Sequence, residues 1–87
     1  MKDLERLLKA MANKRRLSIL KFLRQHNELS VGDIAERIQL SIKSTSRHLS
    51  VLAGADIVEK EQRSTSMFYR LAKIEKQFLK NIFSEIS

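Results

Sequence analysis

The stretch ELSVGDIAERIQLSIKSTSRHLSVL, residues 28–52, leaves the chain little choice of local structure. Ser30 followed by Asp33 is a cap-like pair that opens a helix, and Val31, Ile34, Ala35 and Ile38 share one face of it. The next three residues, QLS, are a tight turn, and Ser41 caps a further helix over 42–53. In that helix Thr45 (through its methyl), Leu49 and Leu52 centre a buried stripe. Lys43, Arg47 and Ser50 lie opposite the stripe, with Ser44 and His48 beside them. Two short helices joined by so short a turn make a helix-turn-helix. Ala35 is small enough to let the second helix cross closely over the first.

Serine and threonine are mediocre helix formers, because their hydroxyls compete for nearby backbone groups. Ser41, Ser44, Thr45, Ser46 and Ser50 therefore suggest a use other than helix stability. Short donors and cations on an exposed face suit a DNA major groove: the helix approaches closely, hydroxyls reach phosphates and bases, and arginine takes guanine bidentately. On this reading Lys43, Ser44, Ser46, Arg47 and His48 line the major groove, while Ser41 and Ser50 meet the backbone. The plainer alternative is a solvated amphipathic helix; the short turn before it and the hairpin after it favour the groove. Ile42 either closes the core stripe or touches a thymine methyl, with the core favoured.

The rest of the chain completes this unit. Leu4, Leu7, Leu8 and Met11 share a face of a helix over 3–11, and Asn13 caps a second helix over 14–25, rich in Leu and Ile. HNEL, 26–29, reads as a loop. IVEKEQ and MFYRL flank the polar RSTS, giving a β-hairpin over 57–71 in which Met67, Tyr69 and Leu71 face inward. Residues 73–86 return to helical period with Ile74, Phe78, Ile82 and Ile86, beside Leu79 and Phe83. The expected architecture is mainly α with a β-hairpin wing, a winged helix-turn-helix in the order α-α-α-α-β-β-α. With no proline and no repeat, the 87 residues read as a single domain over 1–87.

Charge narrows the partner. The net charge is +7, and residues 1–27 hold eight Lys/Arg against two acids, a balance that points to a polyanion. No apolar run approaches the roughly 18 residues of a membrane span, so the expectation is a soluble, cytoplasmic protein without a membrane partner. There is no cysteine, hence no disulfide and no thiolate metal site.

From about residue 4 to residue 71 the chain resembles the ArsR/SmtB-type winged helix-turn-helix regulators. The resemblance lies in LLKAMANKRRLSILKFL, in the helix-turn-helix with SRHLSVL as its most specific piece, and in VEKEQRSTSMFYRL at the wing. It implies a DNA-binding transcriptional regulator, most simply a repressor, binding a pseudo-palindromic operator as a homodimer. The dimer would be built on the terminal helices 3–11 and 73–86 through Leu4, Leu7, Leu8, Phe78, Leu79, Ile82, Phe83 and Ile86. A two-fold dimer sets the recognition helices about 34 Å apart, one DNA turn. Where the family often has glycine, this chain has Gln39 in the turn, Asp56 before the wing and Ser64 at its tip. Many relatives sense metals through cysteine pairs or His/Asp/Glu sets; here the last helix offers only Glu75 and Glu85, so no metal site and no cofactor are expected. An effector ligand is not readable.

Two further groups invite assignment. NKRR puts Lys14, Arg15 and Arg16 in a first helical turn, the unfavourable end for cations. A DNA phosphate on Lys14 or Arg15 would relieve the conflict, whereas the resemblance has Arg16 pair internally. Lys60, Gln62, Arg63, Ser64 and Thr65 either carry the wing to the DNA or form a solvated hairpin, Glu59 and Glu61 opposing contact. No nucleophile–base set or phosphate-cradling loop supports an enzyme. The competing functions are a winged-helix module for protein–protein assembly and a nonspecific architectural DNA-binding protein.

Overall fold

A computed structural model describes residues 4–73. Helix α1 (Leu4–Met11) is followed after Asn13 by α2 (Lys14–Gln25). The Asn13 side chain accepts from the backbone N–H groups of Arg15 and Arg16 at 2.9 and 3.1 Å, satisfying two donors the helix leaves free. The expected last helix, with Phe78, Leu79, Ile82, Phe83 and Ile86, lies outside the described residues.

One element was not expected. Residues Leu29–Ser30 form a short strand, β1, where the sequence predicts a loop over HNEL. Its pairing comes from far along the chain, with Leu29 opposite Tyr69 and Ser30 opposite Phe68. Ser30 then caps α3 (Val31–Ile38), its Oγ accepting from Asp33 N at 3.1 Å. The helix stops at Gln39, which adopts the left-handed conformation at φ 54° and ψ 54°, and Ser41 caps α4 (Ile42–Gly54).

Past Asp56, itself at φ 59°, the chain enters β2 (Val58–Arg63) and returns as β3 (Ser66–Leu71). The antiparallel register runs from Val58 opposite Leu71 to Arg63 opposite Ser66, leaving Ser64 and Thr65 as the turn. Ser64 has φ 54° and Thr65 has no positive φ, the sign pattern of the type II′ turn that suits a twisted hairpin. The sheet order is β1-β3-β2. The three residues standing where the family often has glycine are thus the three non-glycine residues with positive φ among those described.

The core gathers Leu7, Ile19, Leu20, Leu23, Ile34, Leu49, Leu52 and Ile57, all fully buried, and Ala35 of α3 is buried as well. Burying each large aliphatic side chain contributes about 1.5–3 kcal/mol, so the stripe of α4 anchors that helix firmly. Tyr69 is buried, as its strand phase predicts. Two expectations are corrected. Ile42 is 57% exposed and does not close the core, because it is the first residue of α4, where the stripe has run past the layer it packs on. Leu7, expected at a dimer interface, has no exposed surface and belongs to the chain's own core, while its neighbour Leu8 is 48% exposed.

Candidate nucleic-acid interface

Helix α4 has one dry face and one wet one. Thr45, Leu49 and Leu52 are buried, which turns Lys43, Arg47 and Ser50 outward and leaves Ser44, Ser46 and His48 half-buried on the flanks. No carboxylate occurs among its 13 residues, so nothing on the helix neutralises Lys43 or Arg47, and neither has an ion-pair partner among the described residues. Ser41 Oγ accepts from Ser44 N at 3.1 Å. Its hydroxyl hydrogen remains to donate, so the same side chain caps the helix and offers a donor beside the helix N-terminus.

His48 does not project with Lys43 and Arg47. Its Nδ1 lies 3.2 Å from Arg16 Nη1. A guanidinium has no acceptor, so Nδ1 accepts and the neutral ring carries its proton on Nε2. Burial, then the positive charges of Arg16 and Arg15, hold the imidazole below its ordinary pKa. What His48 presents to a partner is therefore a neutral N–H donor.

The basic start of α2 finds a different resolution from the phosphate expected there. Arg15 Nη1 donates to the carbonyl of Ile38, the last residue of α3, and Arg16 Nε donates to the carbonyl of Ala10 in the last turn of α1. Both cations sit at the negative ends of neighbouring helices, where the dipole favours them. Arg15, expected on the DNA backbone, thus acts as a strut between α2 and α3. Lys14 is exposed and has no ion pair among the described residues.

Strand alternation settles the wing's charges. Glu59, Glu61 and Arg63 share one face with Phe68 and Arg70; Lys60 and Gln62 share the other with Met67 and Tyr69. Arg63 is bound to Glu28, lies 3.4 Å from Glu61, and stacks 4.3 Å above the Phe68 ring. Arg70 meets Glu61 at 3.1 Å, Glu59 at 3.2 Å and Glu28 at 3.4 Å. The Arg63 hydrogen bond holds the Glu28 carboxyl below its usual range. Arg63, expected as a wing contact, is therefore committed within the chain. At the tip, Gln62 Nε2 donates to the Ser64 carbonyl at 3.0 Å, and Ser64 and Thr65 are exposed. Ser50, expected on the backbone, lines a cleft between α1 and α4 with Arg6, Lys9 and Arg16.

Residues 13–60 match the family model for bacterial regulatory proteins of the arsR family, across the second helix and the helix-turn-helix and into the first wing strand. The chain belongs to the ArsR family. It is 45% identical over 69 residues to the transcriptional activator HlyU of Vibrio cholerae, and 33% identical over 67 residues to the arsenical resistance operon repressor of Bacillus subtilis. These matches cover 79% and 77% of this chain but 63% and 64% of the two relatives, so the chain spans less than two thirds of their length. Among solved structures, reduced HlyU from Vibrio cholerae superposes with a TM-score of 0.83 at 38% identity, over 94% of this chain and 85% of that one. A homodimeric winged helix-turn-helix DNA-binding domain from Mycobacterium bovis gives a TM-score of 0.83 at 32% identity, over 94% of this chain and 75% of that one. The fold of this ArsR-family chain is the winged helix-turn-helix. Among its described residues no group of three metal-ligating side chains exists, and no helix is long and apolar enough to cross a membrane.

Proposed function

We propose that this ArsR-family chain is a sequence-specific double-stranded DNA-binding regulator that acts in the cytoplasm as a homodimeric repressor and performs no catalysis. Helix α4 lies in the major groove, with Arg47 and Lys43 against base edges and Ser44, Ser46 and the His48 Nε2–H as short donors. Ser41 and Lys14 fix the phosphate backbone, and the wing adds Lys60, Ser64 and Thr65. Leu8 joins Leu4, Phe78, Leu79, Ile82, Phe83 and Ile86 in the dimer contact. The observation that carries this reading is the exposed face of α4, which presents two unpaired cations and a set of hydroxyls without one carboxylate.

A fluorescence-anisotropy titration tests it, using DNA from upstream of the chain's own coding sequence beside a shuffled duplex of equal composition. Specific recognition appears as a preference of roughly a thousandfold or more for the native duplex. Lys14, Lys43, Arg47 and Lys60 from two subunits bring about eight cations to the DNA at most, hence a log–log salt slope no steeper than about −7. The K43A/R47A variant flattens the slope and loses the preference, and R47A alone costs about 1–3 kcal/mol at one base position. Equal, salt-sensitive binding to both duplexes makes the protein architectural; no binding to either points to protein docking. Sedimentation that finds only monomer at micromolar concentration refutes the dimer.

A further inference from the structure

We propose that the cleft between α1 and the C-terminal half of α4 binds a small organic anion, a carboxylate carried on an apolar body, and that its occupancy is linked to the recognition helix through Arg16. The cleft has a volume of about 460 Å³ and is open to solvent. That lies within the range of small-molecule sites, roughly 300–1,000 Å³, and far exceeds the ~30 Å³ a water molecule takes up. An inorganic ion would leave most of it empty.

Its lining is one-signed. Arg6, Lys9 and Arg16 supply three cations, Ser50 supplies a hydroxyl, and no carboxylate of the described residues lines it. Arg6 and Lys9 stand three apart on α1, a spacing at which like charges face each other and repel. Neither has an ion-pair partner among the described residues. The remaining wall is apolar, including Ala10 and Val51. Converging cations over an apolar floor select a ligand with one anionic end and a hydrophobic remainder.

Arg16 joins this cleft to α4. Its guanidinium donates to Ala10 O and to His48 Nδ1, and its remaining N–H groups have no partner among the described residues. A carboxylate in the cleft draws the guanidinium toward itself and competes with His48 for Nη1. It also adds negative charge beside the helix that we place in the groove. An occupied cleft therefore weakens DNA binding, and by reciprocity DNA weakens the ligand. The site stands without the DNA reading; only the linkage rests on it.

The test is an amide NMR titration of the full chain with benzoate, hexanoate and inorganic phosphate at constant ionic strength, beside the R6Q/K9Q variant. Saturable shifts at Arg16, Ser50 and Val51 with the two carboxylates, weakened about tenfold in the variant, support the site. In the wild type alone, the carboxylate also raises the pH midpoint of the His48 ring, since it offsets the charge of Arg16. No saturable shift with either carboxylate, or equal binding by the variant, overturns the site. Phosphate binding as well as the carboxylates, with R6Q/K9Q losing duplex affinity, overturns the ligand class and makes the cleft part of a DNA-backbone footprint. On any duplex the protein binds, benzoate lowers affinity about fivefold or more; no change there overturns the linkage and leaves the site. A chain that binds no duplex still gives the NMR result, so the two failures are distinguishable.

Discussion

Glycine at position 39 should stabilise this protein. Gln39 ends α3 with φ 54° and ψ 54°, a conformation that costs an L-residue about 1–2 kcal/mol because Cβ crowds the following carbonyl. Glycine escapes that cost but gives up roughly 0.5–1 kcal/mol more backbone entropy on folding. The difference leaves Q39G more stable by roughly 0.5–1 kcal/mol. Ser64, at φ 54° in the first central position of a turn with the type II′ sign pattern, a position that favours glycine, should gain at least as much, and its hydrogen bond from Gln62 goes to a carbonyl that glycine keeps. The two sites lie in separate turns, so Q39G/S64G should gain about 1–2 kcal/mol by addition, raising Tm by about 4–16 °C in a domain of this size. Asp56, at φ 59°, should gain less from glycine, because aspartate tolerates the left-handed region better than glutamine or serine. The assay is urea unfolding followed by circular dichroism, supported by a thermal scan. An unchanged slope with a higher midpoint assigns the gain to stability itself. A lower midpoint for Q39G would refute the strain argument at this turn, since it would mean that the Gln39 side chain contributes more than its backbone costs.

Thr45 is fully buried and its Oγ1 has no hydrogen-bond partner among the described residues, so T45V, which keeps the shape and removes the hydroxyl, should stabilise by about 1 kcal/mol in the same unfolding assay; a loss of stability refutes the claim that this hydroxyl is a burden. Because His48 is held below its ordinary pKa of 6.5, the unfolded chain takes up a proton more readily than the fold. Its contribution to stability is therefore complete above about pH 6.5 and declines as pH falls toward the folded value. In H48N, whose Oδ1 can still accept from Arg16, that part of the slope between about pH 7 and pH 5 should vanish, and identical slopes in the two proteins would discard the assignment.

The elements readable in the sequence are those whose cause is local. Asn13, Ser30 and Ser41 each cap the helix they precede, because a cap needs only a side-chain oxygen within three residues of the N–H it satisfies. The buried stripe of α4 and the inward phase of Tyr69 follow from periodicity alone. What escaped depends on partners distant in the chain. β1 exists because Tyr69 and Phe68 lie opposite Leu29 and Ser30, and nothing within HNEL announces that. The bond from Arg63 to Glu28 and those from Arg15 and Arg16 to carbonyls of other helices likewise join residues that only the tertiary fold brings together. A net charge read from composition cannot tell such committed cations from free ones. The cleft is hidden in the sequence for a related reason: Arg6 and Lys9 look like the solvated back of α1 until α4 is packed beside them.

The arginines make that distinction sharp. A guanidinium is a planar fork with five donors, suited to several directional bonds at once, whereas lysine is a hydrated point charge that stands easily alone. Six of the eight arginines follow their chemistry within the fold. Arg15 and Arg16 hold helix carbonyls, Arg37 reaches Asp33 O, Arg63 and Arg70 hold the glutamates around the wing, and Arg24 is also partnered. Arg6 and Arg47 are the two without a partner among the described residues. One stands in the cleft beside Lys9 and Ser50, the other at the centre of the wet face of α4. A fork left open where the other six are closed marks a place where the acceptor comes from outside the described residues. On the proposed reading, the acceptor for Arg47, on a helix without a carboxylate, is a base edge or phosphate, and that for Arg6, above an apolar floor, is the carboxylate of a small molecule.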